Sequence, residues 1–309
     1  MKNNLSNIKK AINYLNNNDC IAIPTETVYG LAGNAYSDKA TYKIYKLKKR
    51  PKKNPLIVHY YNLNLLKKDC FISKKFLKLY KKFCPGPISF VLKLKKKSLI
   101  SKNVTNNKDT LAVRFPKHPL TRKLLKKLKY PLAAPSANIS TRISPVKKQH
   151  VIEEFGKKIK FILDGGQSKI GVESTIISLI KKPQILRLGG LERKELNKFL
   201  KINTKYLKKS KNILVPGQGR LHYSPRIPIR LNIKNPRQYE AIVLINKRKI
   251  SGKNYFYLTK NKNLREAAKN LYNVLRKIKK NKFKSIAVEK IPNIGFGETI
   301  NDRLIRASK

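Results

Sequence analysis

Apolar residues first recur at helical spacing at Leu5, Ile8, Ala11, Ile12 and Leu15, which predicts a helix over 5–17. A short apolar run at 20–23 ends at Pro24 and reads as a strand running into a loop. Ser37 or Asp38 can cap a helix that reaches about Lys49, and Pro51 stops it. The pattern then predicts strands at 56–60, 88–94 and 110–115, with a helix over 73–83 halted by Cys84-Pro85-Gly86-Pro87. A helix over 119–128, a short strand at 131–135 and a helix over 145–155 follow. Strands at 160–163, 174–180 and 184–188 and a helix over 192–201 complete the series. Strands interleaved with helices in this way say α/β.

Between 204 and 229 the periodicity fades into Lys, Gly, Pro and Ser around Pro216-Gly217-Gln218-Gly219, which reads as a linker. Beyond it a strand at 241–245, a long helix over 264–279, a strand at 285–289 and a helix near 298–307 predict a second, smaller α/β unit. The expected division is therefore 1–203, a linker over 204–229, and 230–309. No internal repeat is visible.

Composition changes this picture in three ways. No apolar run approaches the roughly 18 residues of a membrane span, and the polar stretch 1–10 shows no secretory signal. Three scattered cysteines, Cys20, Cys70 and Cys84, form neither a disulfide framework nor a zinc set. The expectation is a soluble, cytoplasmic protein of a reducing compartment. Lys and Arg number 72 against 16 Asp and Glu, a formal charge of +56, which ordinarily suggests a polyanionic partner. Here Lys far outnumbers Arg, and Lys, Asn and Ile crowd every segment, as a base-composition bias would produce; a dedicated nucleic-acid face would cluster its cations with aromatics. On either origin, anions such as ATP or tRNA are attracted and their binding is salt-sensitive.

The chemistry is narrowed first by what is missing. There is no P-loop, no full dinucleotide fingerprint, no H-E-x-x-H and no G-x-S-x-G. With four His and few acids, a site must work with cations, hydroxyls and amides. Those groups recur at strand ends: Thr25, Glu26 and Thr27 after the first strand; Lys48-x-Arg50 with Asn54; Ser136 and Asn138 in Pro135-Ser136-Ala137-Asn138; and Glu173 with Ser174. Polar groups at strand ends stand where α/β folds bind ligands. Arg114, on an otherwise apolar strand, requires a carboxylate from protein or ligand.

The ordered series P-T-E-T-V-Y-G-L, K-x-R-P, P-L-I-V-H, A-V-R-F-P, A-P-S-A-N, D-G-G, G-V-E-S-T-I and R-x-G over about 5–200 resembles the YrdC family of L-threonylcarbamoyladenylate synthases. The segment Pro216-Gly217 … His222-Tyr223-Ser224-Pro225 resembles the linker of its long, two-domain form. The resemblance implies a YrdC-like twisted mixed sheet with helices, plus a small C-terminal three-layer α/β (Rossmann-like) domain. It also implies a nucleotidyltransferase reaction. L-threonine, bicarbonate and ATP with Mg²⁺ give threonylcarbamoyl-AMP and pyrophosphate, and a separate tRNA threonylcarbamoyl transferase complex uses the product to modify tRNA next to the anticodon (t6A).

By that resemblance Lys48, Arg50, Ser136 and Asn138 form the catalytic set. Arg50, Asn54, Thr110, Ser136, Ser144, Arg187 and Tyr223 map to ATP. Thr27, His59, Arg114, Ala134 (through its backbone) and Ser174 map to threonine. Mg²⁺ is expected on the ATP phosphates, with no ligand directly from protein. Tyr223 resembles a tyrosine that folds over the nucleotide. The second unit is short for a long-form member and shows no recognisable chemistry. Weak tRNA binding is a further expectation, and no membrane is. A non-catalytic RNA-binding module on the same fold is the alternative reading. A third, a carbamoyladenylate-forming domain of hydrogenase maturation, would bring Cys-rich zinc segments, which are absent.

Overall fold

The computed structural model describes residues 2–206, 215–217, 219, 221–248 and 252–309; the remainder of the expected linker (207–214, 218 and 220) lies outside the described residues. Helix α1 (Lys2–Asn16) buries Ile8, Ala11 and Leu15, the stripe its spacing predicts. Strand β1 (Ile21–Ile23) pairs antiparallel with β2 (Gly30–Asn34), and α2 (Asp38–Lys48) begins at Ser37, whose side chain accepts the amide of Ala40. Strands β3 (Ile57–His59), β4 (Ile88–Lys93), β5 (Thr110–Arg114), β6 (Leu132–Ala133), β7 (Thr175–Ser178), β8 (Gln184–Arg187) and β9 (Lys205–Tyr206) complete a nine-stranded mixed sheet, ordered β1-β2-β6-β3-β5-β4-β7-β8-β9.

Side chains alternate across these strands. Val58, Phe90, Val113, Ile177 and Ile185 join the main core. Their neighbours Ile57, Val91, Ala112, Ile176 and Leu186 form a separate apolar floor on the other face, joined by Val215 of the linker. That second face carries the polar residues. Because β3 and β5 run parallel in the register His59↔Arg114, these two side chains stand next to each other; β4, antiparallel to β5, sets Ser89 opposite Arg114. In turn β7 runs parallel to β4 and β8 antiparallel to β7, which brings the start of β7 and the end of β8, Arg187, to the same end of the sheet.

The second unit is a four-stranded parallel sheet, β10 (Ile229–Leu231), β11 (Ala241–Asn246), β12 (Tyr255–Thr259) and β13 (Ile286–Val288), ordered β10-β13-β11-β12. The remaining helices in chain order are α3 (Leu63–Asp69), α4 (Lys74–Phe83), α5 (Lys102–Thr105), α6 (Pro119–Lys127), α7 (Lys148–Phe155), α8 (Arg193–Leu200), α9 (Leu264–Lys280) and α10 (Phe296–Ala307), the last two packed on each other. The core of this unit is not closed on itself: Val28, Ile143, Val146 and Val172 of the first unit belong to it, as does Tyr223. Gly171, at φ +79°, lies so close to the backbone of Lys269 on α9 that no Cβ fits.

Several elements depart from expectation. Strand β2 carries Gly30 and Gly33, which blunt its strand signal. Residues 160–163 make only an isolated bridge, Ala22↔Ile162. Helix α7 starts at Lys148, three residues late. The short α3 and α5, and strands β9, β10 and β12, were not expected from the pattern.

Candidate active site

The polar groups meet in a cavity roofed by the linker. Arg50, His59, Arg114, Ala134, Ser136, Ser174, Arg187 and Tyr223 line it, with Thr25, Glu173 and His222. Arg114 Nη2 donates to Glu26 Oε1 at 2.7 Å, and Glu26 Oε2 accepts the amide of Lys117 at 2.9 Å. Both partners are buried. Arg114 Nε and His59 Nδ1, also buried, have no hydrogen-bond partner among the described residues. Buried polar atoms are nearly always paired, so these two mark where a ligand's polar groups belong. Burial, and secondarily the charge of Arg114, hold the His59 pKa far below the usual imidazole value, so the ring is neutral.

Also in the lining, Arg187 donates from Nε and Nη2 to the Ser174 carbonyl at 3.0 and 2.8 Å, from Nη2 to Ser174 Oγ at 3.0 Å, and from Nη1 to the Pro216 carbonyl at 3.2 Å. Ser174 Oγ also shares a 2.8 Å hydrogen bond with Ser89 Oγ. Arg50 is held by Asn54, through Nε to its carbonyl at 2.9 Å and Nη2 to Oδ1 at 2.6 Å, and by the Pro55 carbonyl at 2.9 Å. Burial draws the Arg50 pKa down to about 10; Tyr45 opposes this and the charge of Arg187 adds to it. Two crowded, desolvated guanidinium groups with few anions nearby suit a polyanionic ligand.

Other residues named from the sequence stand behind the cavity wall. Lys48 is buried, and its Nζ donates to the carbonyls of Ser136 and Asn138, each at 2.5 Å. Burial first, then Arg50, lowers its pKa well below the ordinary lysine value. It ties down the 135–140 turn. Asn138 braces the same turn through Nδ2 to the carbonyls of Ile139 and Arg142, at 2.8 and 2.9 Å. Asn138 Oδ1 has no partner among the described residues, and Ser144 faces the Glu173 carboxylate and helps to keep it ionised. Thr27 lies beneath Thr25, their hydroxyls 2.8 Å apart, while Thr25 Oγ1 donates to the Val28 carbonyl at 2.6 Å and shapes the turn. Thr110 lines a smaller adjoining cavity with Pro55 and Lys108.

Tyr223, at 1% exposure, is the roof. Its hydroxyl has no partner among the described residues and lies against Gly217 (φ +87°), where a Cβ would collide with it. The Ser224 amide donates to the Thr141 carbonyl at 2.9 Å, fastening the linker to the 138–144 loop. His222 packs on Tyr223 with ring centres 4.1 Å apart. Its pKa is far below normal through burial and then the charges of Arg50 and Lys48. Glu173, Tyr272 and Arg303 had no assigned role in the sequence reading. Glu173 stood out only as a polar group beside Ser174 at a strand end, and nothing in α9 or α10 signalled the other two.

Family comparison matches residues 13–189 to the Sua5/YciO/YrdC family, described as telomere recombination, and residues 191–309 to the threonylcarbamoyl-AMP synthase C-terminal domain. The chain is 36% identical to the threonylcarbamoyl-AMP synthase of Pyrococcus abyssi, covering 97% of this chain and 94% of that one. It is 33% identical to the protein of the same name from Bacillus subtilis, covering 97% and 92%. A crystal structure of P. abyssi Sua5 complexed with L-threonine superposes with a TM-score of 0.90 at 33% identity, over 97% of this chain and 94% of that one.

Proposed function

The chain belongs to the threonylcarbamoyl-AMP synthase family in its long, two-domain form, and from that premise we propose that its cavity joins L-threonine, bicarbonate and ATP into threonylcarbamoyl-AMP with release of pyrophosphate. The observation that carries the reading is one cavity lined both by Arg114 with His59 and by Arg50 with Arg187. Arg114 and neutral His59, with unpartnered nitrogens, suit the carboxylate and amine of an amino acid. Arg50 and Arg187 suit a triphosphate.

The threonine nitrogen attacks the bicarbonate carbon, water leaves, and a carbamate results. A carbamate oxygen then attacks the α-phosphorus as the bond to the β-phosphate breaks and pyrophosphate departs. Such a reaction needs aligned anions and charge compensation more than a strong base. Arg114 anchors the threonine carboxylate, and Ser174 and Ser136 line the same cavity. Arg50 and Arg187 offset charge on the phosphates. Asn54 acts by fixing the Arg50 guanidinium, and Lys48 and Asn138 by fixing the backbone around Ser136. Among the described residues no group of three His, Cys, Asp or Glu is placed to hold a metal. The nearby carboxylates Glu26 and Glu173 are each committed to an arginine, so Mg²⁺ would arrive as MgATP, held by phosphate oxygens. The roof formed by Tyr223 would keep water from the mixed anhydride.

The test is pyrophosphate release from MgATP with each co-substrate omitted in turn. Release that needs both L-threonine and bicarbonate, with ¹³C from bicarbonate in the product, is expected. Salt-sensitive RNA binding with no turnover under any combination would replace this reading by the RNA-binding module.

A further inference from the structure

Arg303 lies on α10, far in sequence from every residue expected to touch substrate, yet it is completely buried and reaches three parts of the site. Nε donates to Glu173 Oε2 at 2.8 Å and Nη2 to the Leu188 carbonyl at 2.7 Å, while Cζ stands 4.5 Å from the centre of the Tyr223 ring. Glu173 immediately precedes Ser174, and Leu188 immediately follows Arg187. One planar cation therefore holds the Glu173 carboxylate on one side of the Ser174–Arg187 contact, the Leu188 backbone on the other, and the ring that closes over it. Tyr272 of α9 works from the same side: its hydroxyl donates to Glu173 at 3.0 Å and its ring stacks on Tyr223 at 6.1 Å. Burial would raise the Glu173 pKa, but Arg303 and then Arg187 outweigh it and keep the group ionised.

This junction is built with charges the chain has in short supply. Of only 16 acidic residues, several serve ion pairs between the two units: Arg303–Glu173, Arg276 with Glu153 and Glu154, and Arg193–Glu298. A guanidinium can bond Glu173 and Leu188 in one plane while stacking on Tyr223; an ammonium cannot do all three.

We propose that Arg303 is a positioning residue through which the C-terminal unit holds Tyr223 over the cavity, so that the Ser174–Arg187 contact is coupled to the linker that covers it. This rests on the reading that the cavity takes ATP and threonine. Arg303 touches neither; it acts through Tyr223, Glu173 and Leu188. Loosening it weakens retention of nucleotide and leaves the chemical step of the closed state intact.

The full chain is compared with Arg303→Lys, Tyr223→Ala and the double variant, measuring kcat, both KM values and the ATP dissociation constant by calorimetry. Arg303→Lys is expected to raise the KM and dissociation constant for ATP about tenfold with kcat within about twofold. Added to Tyr223→Ala it should cause a much smaller further rise, because no ring remains to be held and only the contacts with Glu173 and Leu188 are lost. Equal losses in both backgrounds, or lower kcat at unchanged KM, would overturn the proposal. Should Arg303→Lys fold poorly, Tyr272→Phe removes only the hydroxyl on Glu173; about a two- to threefold rise in the ATP KM is expected, and wild-type values would overturn the proposal. Absence of threonine- and bicarbonate-dependent turnover in the wild type would sink the functional reading, and the ATP affinities would still decide the role of Arg303. Wild-type turnover with Arg303→Lys indistinguishable from it sinks the positioning role alone.

Discussion

Arg114 divides its guanidinium between a protein carboxylate and the cavity. Nη2 is taken by Glu26, and Nε is left for a ligand. The sequence argument requires a carboxylate from protein or ligand for this cation, and the one the structure shows is Glu26. Arg114→Ala should raise the threonine KM about tenfold to a hundredfold, the worth of one or two charge-assisted hydrogen bonds, and change the ATP KM by less than about threefold. Steady-state titration of each substrate checks this, and equal losses for both would refute the assignment of Arg114 to threonine. Arg114→Lys, which leaves Glu26 a cation, separates the contact from folding.

The buried histidines set a second, pH-linked expectation. His59, His222 and His150 all have native pKa values below 6.5, with His150 down to about 3, chiefly from burial. Above pH 6.5 the rings are neutral folded or unfolded, and these groups add no pH dependence. As pH falls below 6.5 the unfolded chain takes up protons that the native state refuses, so stability declines until the native pKa is reached. Each such ring contributes about 1.4 kcal/mol per pH unit. Urea midpoints at pH 7.5 and 5.5 should show the decline, and His222→Asn should lessen it.

At the scale of elements, the sequence was read well where periodicity was strong and poorly where a strand was short or rich in glycine. The α/β character, the helix stripes and the positions of β3, β4 and β5 follow from spacing. Alternation in those strands already puts His59 and Arg114 on one face, because His59 is two residues from Ile57 and Arg114 two from Ala112. What spacing could not reveal is strand order. The contact of Ser174 with Arg187 needs β7 and β8 to be neighbours, and the burial of Lys48 depends on a turn nearly ninety residues later. The linker shows the same limit, since its motif was legible but its seat on the 138–144 loop was not. Tyr223→Ala should leave the cavity open on that side. It should raise the ATP KM about tenfold or increase hydrolysis of the product anhydride several-fold. Unchanged KM and product lifetime would mean that the ring seals nothing.

Taken whole, the molecule has two sheets but a core that crosses between them. Val28, Ile143, Val146 and Val172 are buried against α9 and its neighbours. Uncovering them would cost roughly 1.5–3 kcal/mol for each fully exposed side chain. A chain ended at residue 203 should therefore aggregate or melt at least about 10 °C lower. Calorimetry of the intact chain should give a single transition, and two resolved transitions would show that the units are energetically separate.

The close approach of Gly171 to Lys269 carries a consequence for descent. A surface that admits no side chain at one position, and spends a buried ion pair a few residues on, cannot be altered from one side alone. Grafting residues 230–309 of a relative onto this first unit should yield a poorly folded hybrid unless the facing residues travel with the graft. The two halves of this chain are bound to vary together, as parts of one heritable piece.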